Sequence, residues 1–236
     1  QAVGGENVLC VAMPSEFSSD HSLRDAARLA HNIGARYKVM PITGMYAAGL
    51  KTFEETFGET EFGVAEENDQ PRCRMMLLMK ISMKYGYLVC TTGNKSEIST
   101  GYFTLFGDGA GGKNVPGDLY KTELYEVVRY INREKEIIPS SIIEKVPSAE
   151  LRPGQKDEDT LPPYGVLDPI LKLMVEERAG MKEIVRRGHD PETVRKVYRL
   201  YKGSEFKRDQ LPRGIKVSRK AFGVGRRMPI TNRWDG

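Results

Sequence analysis

Two short apolar runs flank a segment of helical period near the start of the chain, and that order constrains the fold more than any other feature. Asn7 to Met13 is apolar and stops at Pro14, and Tyr37 to Ile42 is the second run. Between them Leu23, Ala26, Ala27, Leu29, Ala30 and Ile33 recur at the spacing of one helix face. The pattern predicts a β-α-β unit. Asp20 or Ser22 can cap its helix, and Gly34 ends it where a left-handed residue is tolerated.

The rest of the chain continues the alternation. Thr43 to Phe57 and Phe62 to Lys84 read as helices, and Tyr87 to Cys90, bounded by Gly86 and Gly93, reads as a buried strand. Asp118 to Ile131 is the next helix, with Asp118 as its cap and Leu119, Leu124, Val127, Val128 and Ile131 on its inner side. Strands alternating with helices imply a parallel sheet with helices on both faces, an α/β fold. Residues 138–163, rich in proline and carrying the charged knot Lys156-Asp157-Glu158-Asp159, have the composition of a long mobile loop. Residues 164–206 return to helix, with breaks at Gly180 and Gly188 and a start at Asp190-Pro191-Glu192; from Leu211 the tail is extended and basic.

Thirty-six basic against thirty-two acidic side chains leave a charge of +4, too small to argue for nucleic acid. The excess is local, from Arg186 to Arg233, and suits a polyanion such as ATP or a dinucleotide, though RNA almost as well. Cys10, Cys73 and Cys90 have no spacing for a zinc site or a disulfide framework; Cys10 and Cys90 are expected as small buried hydrophobes, and a reducing cytoplasm fits best. No apolar run is long enough to span a membrane and no signal peptide is visible.

Chemistry concentrates between Thr91 and Lys121. A strand end, a carboxylate, a glycine-rich stretch and a lysine follow one another, and in open α/β sheets ligands bind beyond the carboxyl ends of strands. The segment is expected to handle phosphate. Glu97, five residues beyond Thr92, can hold Mg²⁺ against phosphate oxygens, or can simply cap the turn that Ser96 and Glu97 open. Lys121 is poorly placed for the helix dipole in a first turn, so an anion nearby would explain it; otherwise it is a solvated lysine. Gly107 to Gly112 let backbone approach a ligand closely, or form a flexible loop. Arg72 and Arg74, two residues apart on a helix, cannot share a face.

Several motifs in order resemble the NAD synthetases of the N-type ATP pyrophosphatases: Met13-Pro14-Ser15-Glu16-Phe17-Ser18-Ser19, Glu67 to Met75, Thr91 to Lys121, Lys145 to Glu158, and Glu205-Phe206-Lys207-Arg208. The tail from Lys207 through Lys216-Val217-Ser218 to Asn232-Arg233 is more similar to the glutamine-dependent branch than to the ammonia-dependent one. The resemblance implies an adenine-nucleotide α-hydrolase-like, Rossmann-like parallel sheet, with a synthetase domain over residues 1–206 and residues 207–236 as its basic tail. It implies ATP contacts at Thr92, Lys121 and Ser148, deamido-NAD contacts at Arg72, Glu97 and Lys207, and Mg²⁺ at Glu97. The implied reaction amidates deamido-NAD to NAD through an adenylated acid, with release of pyrophosphate and AMP, and needs no nucleophilic side chain. Ammonia comes directly or from a glutamine amidohydrolase domain, and a homodimer or higher oligomer is implied, with no nucleic-acid or membrane partner.

The sequence also departs from the family. Pro71 replaces an alanine, so a kink before Arg72 is expected. Leu105 and Gly112 stand where ammonia-dependent enzymes carry lysine and aspartate, Phe206 stands where some relatives have histidine, and Ser148 keeps the hydroxyl of a usual threonine. The phosphate loop S-G-G-x-D-S is absent. The expectation is that Gln1 continues a longer polypeptide carrying that loop; the alternative is a non-catalytic binding or scaffold domain.

Overall fold

The computed structural model describes residues 2–223 and 225–231. In chain order its elements are β1 (Leu9–Ala12), α1 (Asp20–Asn32), β2 (Arg36–Val39), α2 (Thr43–Phe57), α3 (Val64–Tyr85), β3 (Cys90–Thr91), α4 (Lys95–Thr100), β4 (Lys113–Asn114), α5 (Lys121–Ile131), α6 (Ser140–Glu144), α7 (Tyr164–Lys172), α8 (Met181–Arg186), α9 (Pro191–Gly203) and α10 (Glu205–Arg208). The strands pair in parallel, β1 with β2 and β3 with β4. The chain divides into two units, residues 1–74 with 125–159 and residues 75–124 with 160–236. Gln1, Asn232 and Arg233 lie outside the described residues.

The first unit contains the β-α-β unit that the apolar pattern requires. β1 and β2 run in register from Leu9 opposite Arg36 to Ala12 opposite Val39, joined by the α1 crossover. Ala30 on α1, and Ile42 and Tyr46 at the start of α2, are buried in this unit. The cap of α1 is Ser19, not Asp20 or Ser22: Ser19 is extended and its hydroxyl accepts the Ser22 N–H, while Asp20 is already helical. Gly34 follows with φ 68°, the left-handed conformation expected of it. α3 is assigned without interruption through the buried Pro71.

The second unit is built on a helical core. Leu167, Ile170 and Leu171 of α7, Val175 of the π-helical turn Leu173–Glu177, Ile184 of α8, and Val194 and Val197 of α9 are fully enclosed. Burying each of these side chains stabilises the fold by about 1.5–3 kcal/mol. Asp190 accepts the Thr193 N–H at 2.8 Å and Pro191 opens α9, as the dipeptide predicts. The basic tail is extended but fastened, with a bridge between Asn114 and Gly214 and with Ala221 buried.

Four further expectations are corrected. Tyr87 to Cys90 is not a buried strand: the strand is Cys90–Thr91, Leu88 is 67% exposed and Cys90 is exposed, because residues alternate across a strand and Thr91 takes the inner side. Cys10 is half-buried, and its burial pushes the thiol up. Asp118 does not cap α5, which begins at Lys121; the Glu123 carboxylate accepts the Tyr120 N–H instead, and Val127 and Ile131 are exposed. The segment 138–163 holds α6 and a 3₁₀ turn at Asp157–Asp159, and Gln70 Nε2 of α3 donates to the Leu151 carbonyl at 2.8 Å. Among the described residues no helix is long and apolar enough to cross a membrane.

Candidate functional site

In the second unit the turn from β3 into α4 sets the site. Asn94 Oδ1 accepts the Glu97 N–H at 3.0 Å, and Glu97 Oε2 accepts the Asn94 N–H at 3.0 Å, a capping box at the helix start. The capping alternative for Glu97 is therefore realised with one carboxylate oxygen. The other, Oε1, lies 3.5 Å from Lys121 Nζ. Each of these side chains keeps only 19% of its surface exposed. Lys121 is thus no solvated lysine: its N–H donates to Ser96 Oγ at 2.9 Å and its ammonium stands 5.4 Å from the Tyr164 ring centre. Glu97 is the anion that makes a first-turn cation tolerable.

Thr92 lies exposed on the same turn. Thr91 and Asn114, opposite each other in the β3–β4 register, are buried with Oγ1 and Oδ1 lacking a hydrogen-bond partner. The glycine-rich stretch approaches its own chain: a Cβ on Gly111, where φ is 145°, would fall 2.8 Å from Thr91 Cγ2. Lys207 Nζ donates to the carbonyls of Gly101 and Phe103 at 2.8 Å each, closing the C-terminal end of α4.

The donors present suit Mg²⁺ in a restricted sense. That ion takes one or two carboxylates and completes its shell with water and substrate phosphate oxygens. Glu97 Oε1 supplies one hard oxygen beside a lysine able to neutralise phosphate. Among the described residues no group of three or more histidine, cysteine, aspartate or glutamate side chains could hold a metal by protein ligands alone.

The same helix start holds a set of buried charges, of which the sequence placed Lys95 beyond the strand end where a ligand would bind but gave no role to Glu176 or Asp168. Lys95 is fully buried, with its ammonium 3.0 Å from Asp118 Oδ1, 3.1 Å from Glu176 Oε1 and 2.8 Å from Ser218 Oγ. Asp118 also accepts the N–H groups of Val217 and Ser218 at 2.8 and 2.7 Å. Burial opposes its ionisation, but these donors and Lys95 outweigh it and hold the carboxyl below its usual range. Asp168 of α7 accepts the Ser96 hydroxyl at 2.5 Å and the Thr122 N–H at 2.9 Å. Its signal was available: a lone acid between Leu167 and Ile170 on an otherwise apolar helix face.

In the first unit Ser148 lines a cavity of about 460 Å³ together with Ser19, Lys145, Glu150, Arg152 and Lys156. The Ser148 hydroxyl accepts the Glu150 N–H at 3.1 Å. Glu150, at φ 51°, accepts from Ser19 Oγ at 2.8 Å, from Ser22 Oγ at 2.9 Å and from Lys145 Nζ. Burial raises its carboxyl, but the Lys145, Ser19 and Ser22 donors prevail and hold it below the ordinary glutamate value. Of the two arginines, Arg72 is exposed, 3.3 Å from Asp69 Oδ1, while Arg74 Nε donates to the Met13 carbonyl at 2.9 Å. They point apart, as the two-residue spacing requires.

Comparison with known proteins extends this picture. The family model for NAD synthase matches residues 1–211. A glutamine-dependent NAD(+) synthetase of Synechocystis sp. is 49% identical over 230 residues, covering 98% of this chain and 41% of that protein. The solved glutamine-dependent NAD+ synthetase of Acinetobacter baumannii, in complex with ADP, is 39% identical with a TM-score of 0.60 over 99% of this chain and 42% of its own. A glutamine-dependent NAD(+) synthetase from Cytophaga hutchinsonii shares the fold, with a TM-score of 0.78 at 21% identity over 95% of this chain and 38% of its own. The chain thus spans about two fifths of the length of the relatives it matches.

Proposed function

The chain belongs to the NAD synthase family, and from that premise we propose that it carries the synthetase half of an ATP-dependent amidation that converts deamido-NAD to NAD. The deamido-NAD carboxylate attacks the α-phosphorus of ATP, pyrophosphate leaves, and ammonia then displaces AMP from the adenylated acid. The nitrogen comes from glutamine, as the names of the relatives suggest, and an amidase domain delivers it as ammonia.

The observation that carries the reading is the Glu97–Lys121 pair, formed between the first turns of α4 and α5, within a chain of this family. Bound Mg²⁺ supplies positive charge against the phosphate oxygens. Glu97 would hold that ion through its carboxylate, Lys121 neutralises polyphosphate charge, and Thr92 lies on the same turn to meet ATP. Stabilising charge that grows as pyrophosphate leaves is the main electrostatic demand of the step. Ser148 offers a hydroxyl to the nucleotide from the wall of its cavity, and residues 145–163 shield the adenylate from water. Arg72 and Lys207 address deamido-NAD. The nucleotide-bound state of the Acinetobacter baumannii relative supports a nucleotide here.

We assign the protein to the cytoplasm and to a homodimer, for which Met76, Met79 and Met83 on α3, all exposed, provide an apolar stripe. Titrating ADP and ATP into the protein that carries this chain, with and without Mg²⁺, tests the proposal. Affinity that rises with Mg²⁺ is expected. Nucleotide binding indifferent to Mg²⁺ and to substitution of both Glu97 and Lys121 would reject it.

A further inference from the structure

A carboxylate with no place in the reaction joins the elements that carry Glu97 and Lys121. Asp168 is completely buried in α7. Its Oδ1 accepts the Ser96 hydroxyl at 2.5 Å, and the same hydroxyl oxygen accepts the Lys121 N–H at 2.9 Å. Its Oδ2 accepts the Thr122 N–H at 2.9 Å. Ser96 precedes Glu97 in the first turn of α4, and Lys121 and Thr122 open α5.

We propose that Asp168, acting through Ser96, is a positioning residue that sets the spacing between the Glu97 carboxylate and the Lys121 ammonium. The inference rests on the functional reading of that pair given above. Three features support a positioning role over mere packing. The side chains of Glu97 and Lys121 are only 3.5 Å apart, yet they come from helices separated by the glycine-rich stretch, so another contact must hold the helices in register. The two carboxylate oxygens are divided between a side chain of α4 and a backbone N–H of α5, so one rigid group spans both helix starts. Asp168 is also anchored, since its neighbours Leu167, Ile170 and Leu171 lie in the core of the second unit. A buried carboxylate with satisfied acceptors is costly to move, which suits a fixed reference point.

The test uses the protein that carries this chain, with Ser96→Ala, Ser96→Thr, Asp168→Asn, Glu97→Gln and the Ser96→Ala/Glu97→Gln double variant. Amide hydrogen exchange at Lys121 and Thr122 reports the link itself, and titration of ADP at rising Mg²⁺ reports the site. Ser96→Ala removes the acceptor of the Lys121 N–H, which should exchange about tenfold faster or more, and frees the Asp168 carboxylate from α4, so that the Thr122 N–H it still accepts should exchange faster as well. Mg²⁺-dependent ADP affinity should fall by about tenfold in the same variant. Ser96→Thr should restore both, and the double variant should lose little beyond Glu97→Gln alone. Unchanged protection in Ser96→Ala, unchanged Mg²⁺ dependence in it, or losses that simply add in the double variant overturn the proposal. If Glu97→Gln leaves Mg²⁺ dependence intact, the metal assignment fails, and the exchange of the two amides by itself decides the link. Ser96→Ala keeps the experiment decisive should Asp168→Asn fail to fold.

Discussion

Lys95 Nζ and Asp118 Oδ1 stand 3.0 Å apart with both side chains withdrawn from solvent, and Lys95 opens the helix whose first turn also carries Glu97. A buried pair of this kind contributes little net stability compared with apolar packing, but removing one partner strands a charge. Asp118→Ala should destabilise the protein by about 3 kcal/mol, the low end for such a loss, because Glu176 Oε1 still stands 3.1 Å from Lys95 Nζ while the Val217 and Ser218 N–H groups lose their acceptor. Ser218→Ala should cost less, about 1–3 kcal/mol, because the Lys95–Asp118 pair survives it. Urea denaturation of the variants checks both, and equal costs would show that the tail, not the ion pair, dominates.

Glu150 predicts a pH dependence. Its carboxyl is held below the usual glutamate value although burial opposes this, since Lys145, Ser19 and Ser22 donate to the ionised form. A depressed folded-state value means that the stabilisation is fully present above the unfolded value of about 4.3 and is lost as pH falls through the lower folded one. Wild-type stability should decline on acidification below about pH 4, and Glu150→Gln should show a shallower decline. Thermal unfolding between pH 3 and pH 6 measures the difference.

The same carboxylate fastens residues 145–159 to the start of α1. Glu150→Ala should speed limited proteolysis between residues 152 and 163, and ATP with deamido-NAD should slow it in the wild type. Identical cleavage of variant and wild type, with and without substrates, would exclude the segment as a lid.

For Glu97→Gln, the rate of adenylate formation should drop by at least about tenfold, while deamido-NAD affinity changes little. Pyrophosphate release at saturating Mg²⁺ is the measurement. A wild-type rate would remove Glu97 from the metal site.

Lys207→Ala should raise the apparent Michaelis constant for deamido-NAD and leave that for ATP unchanged. It should also destabilise the protein by about 1–3 kcal/mol, since the Gly101 and Phe103 carbonyls lose their shared donor. Steady-state kinetics combined with a melting curve separates the two effects.

Where a segment's period and its end signals coincide, the sequence was sufficient. α2 runs from Thr43 to Phe57 as expected, and Asp190-Pro191 opens α9, because capping and apolar spacing are local properties. The Thr91–Lys121 segment was legible as a candidate site for the same reason: strand end, carboxylate and lysine follow each other along the chain. The strand before it was misjudged, because the apolar run Tyr87 to Cys90 does not reveal which residues find a parallel partner. Asp118 looked like a cap because caps are local and common, whereas its partners, Lys95 and Ser218, lie far away in sequence.

By itself, the sequence determined the parallel α/β class, the family and the short segment in which Glu97 and Lys121 reside. Only the tertiary structure decided that these two side chains face each other at 3.5 Å, that Asp168 ties the starts of their helices, and that Ser148 shares a cavity wall with Glu150 and Lys145. Propensity and period act over one or two turns of chain. The pairing of charges and polar groups depends on which distant segments are buried together, and there the need to satisfy each buried group selects the partner.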